Sequence, residues 1–134
     1  MIGARARAAF FAFSAVLAGG AIAEEPRHTS FTLAREAAQE NAETPAGRRY
    51  EVAFLSSLDR WLPPVVQRCA KGIPDEERIG FEAVVRVGRS GEPEEVLVAP
   101  ETAVARCVAP ELTAAKYPAP PQPSWWMRVE VQLK

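Results

Sequence analysis

The chain has 134 residues, a length typical of a single domain. Hydrophobic residues make up 48% of it and charged residues 25%, which is an ordinary globular composition and excludes wholesale disorder. The formal charge of −1 excludes the strong basic excess of a typical nucleic-acid-binding protein, so we expect no nucleic-acid partner. Two cysteines and one histidine are too few for a zinc site built from Cys and His alone, and we expect no metal or other cofactor.

The N-terminal segment has the pattern of a secretory signal peptide. Arg5 and Arg7 form a basic region, residues 8–20 are apolar, and the tripeptide AIA ending at Ala23 supplies the small residues that precede a cleavage site. Cleavage before Glu24 leaves 111 residues with 14 basic and 17 acidic side chains, a charge of −3. We expect a periplasmic or secreted protein with no membrane span after cleavage, although a retained anchor is the alternative.

Export changes the expectation for the two cysteines. In an oxidising compartment, two cysteines with no others are most simply joined as one disulfide, Cys69–Cys107. In the chain-entropy model, closing a loop of about 38 residues is worth roughly 3–4 kcal/mol. Two free thiols, one of them reactive, are the alternative.

Residues 1–23 are therefore assigned to the signal peptide, residues 24–45 to an N-terminal preface, and residues 46–134 to the folded domain. Ser30 can cap a short helix in the preface over residues 31–41, whose apolar positions form a weak stripe of Leu33, Ala34, Ala37 and Ala38. The preface either docks on the domain through Phe31 and Leu33 or remains a mobile arm.

The domain begins with a helical pattern. From Arg48 to Cys69, apolar side chains recur every three or four residues, which predicts one buried helix face. The tandem prolines at 63 and 64 cannot lie inside a straight helix, so we expect a kink or a restart near Pro63. A second helix begins at the cap Thr102 and carries Cys107, with a kink or break expected at Pro110.

Three segments alternate with the period of two that is typical of strands. Residues 81–87 and 95–99 flank a glycine-containing turn and predict a hairpin, and residues 125–133 predict a C-terminal strand. The element order α-β-β-α-β predicts an α+β fold: a small antiparallel sheet, made of the hairpin and the C-terminal strand, with two helices packed on one face. The disulfide would join these two helices.

The motifs in this order resemble a known family. A helix ends in Cys69, the strand FEAVVRV precedes the turn GRSGEPEEV, a second helix carries Cys107 in TAVARCVAPEL, and YPAPP leads into the last strand. Over residues 65–134 this resembles the C-terminal domains of TonB-like periplasmic proteins, particularly the group with a paired cysteine in each helix. The resemblance implies a small interaction module that contacts an envelope protein by strand addition at a sheet edge.

The chain departs from the energy-transducing members of that family. Those members retain an N-terminal anchor and carry a long Pro-rich spacer. The preface here is about 22 residues long and is not Pro-rich, so at roughly 3.1 Å per residue it spans less than about 70 Å. We therefore expect the fold of the family without energy transduction.

Three side chains of the last strand are candidates for partner binding. Alternation directs Trp125 into the sheet interior and Trp126 to the other face, together with Arg128 and Glu130. An exposed tryptophan is a plausible anchor for a partner. The alternative is that Trp126 packs beneath the YPAPPQP segment or beneath the preface.

No set of catalytic residues emerges from the remaining polar side chains. His28 lies alone in a polar segment, and Ser90 lies in a turn without the surroundings of a nucleophile elbow. The acidic clusters at residues 75–77 and 92–95 are expected to be solvated surface. We expect a non-catalytic module; the alternative is a small secreted enzyme or enzyme inhibitor that uses these acidic loops.

Overall fold

The structure is a computed structural model, and it describes residues 30–133. The predicted cleavage site at Ala23 and Glu24, together with His28, lies outside the described residues. Four α-helices, one short 3₁₀ helix at Asp75–Glu77 and three strands follow in chain order. Their bounds are α1 Phe31–Glu43, α2 Pro45–Asp59, α3 Leu62–Ala70, β1 Phe81–Val87, β2 Pro93–Ala99, α4 Ala103–Ala114 and β3 Trp125–Val131.

The three strands form one antiparallel sheet in the order β2-β1-β3. In the central row of the sheet, Val84 lies between Leu97 of β2 and Arg128 of β3. This architecture confirms the predicted α+β fold, with a hairpin and a C-terminal strand that pairs with the first strand of the hairpin. Strand β1 is central, so β2 and β3 are the two edges of the sheet.

One face of the sheet carries the main core. Alternate residues of β1 and β3 point toward α2, α3 and α4, as the period of two predicts, because successive side chains of a strand project to opposite faces. The aromatic centre of this core is Phe54, whose ring stacks on Tyr117 with the centroids 4.9 Å apart. The strand residues that enter this core are Phe81, Ala83, Val85, Val87, Trp125, Met127, Val129 and Val131.

The break near the tandem prolines is confirmed. Helix α2 ends at Asp59, and α3 begins at Leu62, so Pro63 lies in the first turn of α3. A proline is tolerated there because the N–H groups of the first turn have no partner within the helix. The two helices present one continuous buried stripe of Phe54, Leu58, Leu62, Val65 and Cys69 to the sheet.

The disulfide between Cys69 and Cys107 is confirmed and joins α3 to α4, with 5.7 Å between the two Cα atoms. Helix α4 begins at the predicted cap, where the Thr102 hydroxyl accepts a hydrogen bond from the Ala105 N–H. The helix continues through Pro110 to Ala114, so the expected break does not occur there. Pro110 is exposed, so its ring projects from the helix face that does not contact the sheet core.

The preface forms a helix that packs on the second face of the sheet. The Ser30 side chain accepts a hydrogen bond from the Leu33 N–H, as a cap should, and the helix runs to Glu43. Its docking side chains are Ala34 and Ala38, with Phe31 at the margin, whereas Leu33 is 62% exposed. The sheet therefore has helices on both faces.

A tight corner sets the direction of α1. The single residue Thr44 separates α1 from α2, and its side chain caps α2 by accepting from the Gly47 N–H. A Cβ at Gly47 would collide with the Asn41 carbonyl, so glycine is required for this approach. Within residues 30–133, none of the helices is long and apolar enough to cross a membrane.

Candidate functional site

The candidate side chains of β3 lie on the face that α1 covers. Trp126 is only 9% exposed and packs against Ala34 and Ala38. This agrees with the alternative in which the preface covers Trp126, and it differs from the expectation of a solvent-facing anchor. Arg128 is half-buried and Glu130 is exposed. Alternation predicted the outward position of Trp126 on the strand, and the structure decided between an exposed Trp126 and one covered by the preface.

An arginine fills the space beside Trp126. The Arg86 guanidinium lies 5.7 Å from the centre of the Trp126 ring and forms ion pairs with Glu95 at 3.4 Å and Glu94 at 3.6 Å. Cations are attracted to the face of an indole ring, and the two carboxylates hold the guanidinium in this position. Trp126 is therefore packed inside the protein, between α1 and Arg86 of β1, and is not an exposed residue available to a partner.

The outer edge of β3 is partly closed by α1. The side-chain amide of Asn41 donates a hydrogen bond to the Trp126 carbonyl at 3.2 Å. In an antiparallel strand the N–H and C=O of one residue point the same way, and successive residues alternate. Arg128 and Glu130 therefore direct their backbone groups away from β1. The Val131 carbonyl, one residue further along, correspondingly lies on the β1 side, close to Gly80.

The open part of this edge lies along a groove made of two adjoining cavities. The first cavity, of about 530 Å³, lies between α1 and α2 and is lined by Ala42, Glu43, Glu51, Leu55, Met127 and Arg128 among others. The second, of about 690 Å³, lies between α3 and the end of β3 and is lined by Leu62, Val66, Lys71, Arg78, Val131 and Leu133 among others. Glu130 lines both cavities. We call the two together the β3 groove.

The opposite edge of the sheet also borders a cavity. It has a volume of about 650 Å³ and lies between β2, the start of α1 and the exposed side of α4, with Phe31, Val96, Val98, Ala109 and Pro110 in its lining. None of the three residues that the sequence proposed for partner binding lies here. The β3 groove, in contrast, is lined by two of them, Arg128 and Glu130.

The YPAPPQP segment is anchored in the core at its first residue. Tyr117 is buried, its hydroxyl donates to the Leu112 carbonyl at 2.7 Å, and its N–H donates to the Gly91 carbonyl at 2.8 Å. The Tyr50 hydroxyl donates to the Pro118 carbonyl at 2.8 Å. Burial raises the pKa of both phenols, that of Tyr50 to about 12, because the charged phenolate loses solvation. The segment thus has a structural role at this end.

The acidic clusters do not converge on a cleft. Residues 75–77 form an exposed 3₁₀ helix, and Glu94 and Glu95 contact Arg86. Ser90 lies in the exposed turn between β1 and β2. In the part of the chain that the structure describes, no three His, Cys, Asp or Glu side chains lie close enough together to hold a metal ion.

No family model, curated protein or solved structure shows significant similarity to this chain. The β3 groove is therefore the feature of the molecule that points to a function. Asn41 and the walls of that groove were absent from the sequence-based candidates. Asn41 carried no pattern that could have marked it, because its contact is with a backbone atom 85 positions away.

Proposed function

We propose that this protein is a non-catalytic interaction module of the periplasm, exported through the signal peptide at residues 1–23, that binds an envelope protein by strand addition to β3. The observation that carries the proposal is the open outer edge of β3 at Arg128 and Glu130, which lies along a groove between α1, α2 and α3. Strand addition uses backbone hydrogen bonds for affinity and side-chain pockets for specificity, and the β3 groove offers both.

Burial of the rest of the sheet supports this choice of surface. Helix α1 covers one face and α2, α3 and α4 cover the other, so an incoming chain has access to the sheet only at its edges. The resemblance to TonB-like domains supports the same mode of binding. The role of Trp126 in the proposal is indirect: it seats α1, and α1 forms one wall of the groove.

Two variants at Arg128 separate a backbone contact from a side-chain contact. Arg128→Pro removes an N–H that points away from β1, so it removes no hydrogen bond of the sheet ladder. Arg128→Ala removes the side chain and keeps the N–H. We expect a partner captured from periplasmic extract by the wild-type protein to be retained by Arg128→Ala and to bind at least about tenfold more weakly to Arg128→Pro.

Thermal melts monitored by circular dichroism show whether the proline variant is folded, and Glu130→Pro repeats the test two residues further along the edge. Retention of the partner by both folded proline variants would rule out strand addition at β3. Loss of the partner on Arg128→Ala alone would assign the contact to the side chain.

A further inference from the structure

We propose that the β3 groove selects an extended peptide segment of about six or seven residues with apolar side chains at alternate positions, a basic side chain at one end and an acidic side chain at the other. This inference depends on the proposed function, because it names the chemistry of the chain that would pair with β3. It follows from the lining of the groove, from the distribution of charge along it, and from Asn41.

The apolar positions follow from the wall that α3 provides. A strand added to β3 continues the pleat, so every second side chain points to the same face as Val129 and Val131. On that face the groove is lined by Leu62, Val66, Ala70 and Leu133. Alternate apolar side chains of the partner would lie against these groups and remove apolar surface from water.

The charged positions of the bound segment follow from the opposite net charges of the two ends of the β3 groove. The cavity beside Met127 contains Glu43, Glu51 and Glu130 with a single cation, Arg128. The cavity beside Leu133 contains Lys71 and Arg78 with the same Glu130 as its single acid. Complementary charge therefore requires a cation at the first end and an anion at the second.

The length follows from Asn41. The Asn41 side-chain amide already donates a hydrogen bond to the Trp126 carbonyl, so an added strand can pair with β3 only beyond Trp126. The stretch from Met127 to Leu133 comprises the last five residues of β3 and the two residues that follow it in the groove lining. It covers about 20 Å at roughly 3.3 Å per residue, which corresponds to six or seven residues of a partner strand. Asn41 thus acts as a positioning residue that limits the register of the bound segment.

Four blocked heptapeptides test the charge pattern on the chain purified after export. Each has valine at its second, fourth and sixth positions and threonine at its third and fifth. The end residues are Lys and Glu in either order, Lys at both ends, or Glu at both ends. Both mixed peptides are needed because the strand can bind in either direction. We expect the tighter mixed peptide to bind about fivefold more tightly than either like-charged peptide, measured by NMR shifts of the Arg128 and Glu130 amides.

A charge reversal at one end of the groove tests the location. In Glu43→Lys/Glu51→Lys both ends of the groove are basic, so the peptide with Glu at both ends should become the tightest of the four. The matched control is Glu36→Lys/Glu40→Lys, which makes the same change of charge on exposed positions of α1 outside the groove lining. The control should leave the ranking of the peptides unchanged.

The outcomes separate this inference from the proposed function. Equal affinities for all four peptides at the β3 edge would overturn the charge pattern and leave strand addition intact. The same change of ranking in both double variants would reveal a general charge effect and would also overturn it. If no peptide shifts the Arg128 and Glu130 amides, β3 is not a binding edge and the proposed function fails with it.

Discussion

At the scale of single residues, Gly91 joins the β1–β2 turn to the segment that leads into β3. Its φ of +89° lies in the left-handed region, where glycine is favoured. Its carbonyl accepts from the Tyr117 N–H at 2.8 Å, and a Cβ at Gly91 would collide with the Tyr117 carbonyl. Two separate requirements, the backbone angle and the close approach, therefore meet at this position.

Gly91→Ala should destabilise the fold by more than about 2 kcal/mol, because the positive φ alone costs about 1–2 kcal/mol and the collision adds to it. Gly72→Ala is the matched control, since Gly72 also has a positive φ, of +79°, but has nothing within 4 Å of an added Cβ. Urea denaturation measures both. Equal losses for the two variants would show that the contact with Tyr117 contributes nothing.

The burial of Tyr50 leads us to expect that the free energy of unfolding falls at alkaline pH. Its pKa is raised by burial from 10 to about 12 in the folded protein, so the folded state holds the phenolic proton more tightly than the unfolded state. The corresponding stability is fully present below pH 10 and is lost as the pH rises toward 12. The difference in unfolding free energy between the wild type and Tyr50→Phe should therefore shrink between about pH 10 and about pH 12. A constant difference across that range would contradict the burial of an ionisable phenol.

At the scale of elements, the packing of α1 on the sheet depends on small side chains. Its buried side chains are the two alanines that lie on Val84 and Trp126. An ion pair at 2.9 Å between Arg35 and Glu82 of β1 adds a partly exposed contact. Alanine at this interface allows the helix to approach the sheet closely, so a larger or charged side chain would separate them.

Ala38→Asp should release α1 and cost about 2–4 kcal/mol, because it places a carboxylate against the buried face of Trp126. Gln39→Asp puts the same group on an exposed neighbouring position and should change the stability by less than about 0.5 kcal/mol. Hydrogen exchange of the α1 amides and urea denaturation monitor both variants. Unchanged protection of α1 in Ala38→Asp would show that this contact does not hold the helix.

The disulfide between α3 and α4 is a second contribution to stability at the scale of elements. Replacement of both Cys69 and Cys107 by alanine should lower the free energy of unfolding by about 3–4 kcal/mol, mainly because the unfolded chain is no longer constrained. The wild type in the presence of a reductant should show the same denaturation midpoint as the double variant. A midpoint that neither treatment shifts would mean that the bond adds no net stability.

At the scale of the whole molecule, one three-stranded sheet is enclosed by helices on both faces, and its two edges remain at the surface. Such edges are usually blunted, because an unpaired strand can recruit another chain. Here Asn41 closes only the first part of the β3 edge. The remainder of that edge is the feature of the whole fold from which the proposed function follows.

Export predicts the covalent state of the whole chain. Intact mass spectrometry of the protein from an expressing bacterium should show a chain that begins at Glu24, with Cys69 and Cys107 linked, because the AIA tripeptide precedes that position and the proposed destination, the periplasm, is oxidising. A mass that includes residues 1–23 would instead indicate a retained anchor. Free thiol at full stoichiometry would contradict export to an oxidising compartment.

Much of the fold could be predicted because its elements have strong periodicity. Apolar residues occupy every second position from Trp125 to Leu133, a segment that includes all of β3, and alternate residues of β1 from Phe81 to Val87 show the same period. The α1 layer was harder to predict because two alanines give little hydrophobic contrast. Pro110 was predicted to kink or break its helix, and the helix continues without a break because Val104, Val108 and Leu112 pack on the sheet.

By itself, the sequence determined the α+β class, two of the helix caps, the helix break near Pro63, the face of each strand and the partner of each cysteine. Periodicity, proline chemistry and cysteine count are local or compositional properties, so they can be recognised without the tertiary structure. Only the tertiary structure decided that α1 covers Trp126, that Asn41 closes part of the β3 edge, and that a charged groove borders the rest. These features depend on contacts between residues far apart in the chain, such as Asn41 and Trp126, and no local pattern encodes such contacts.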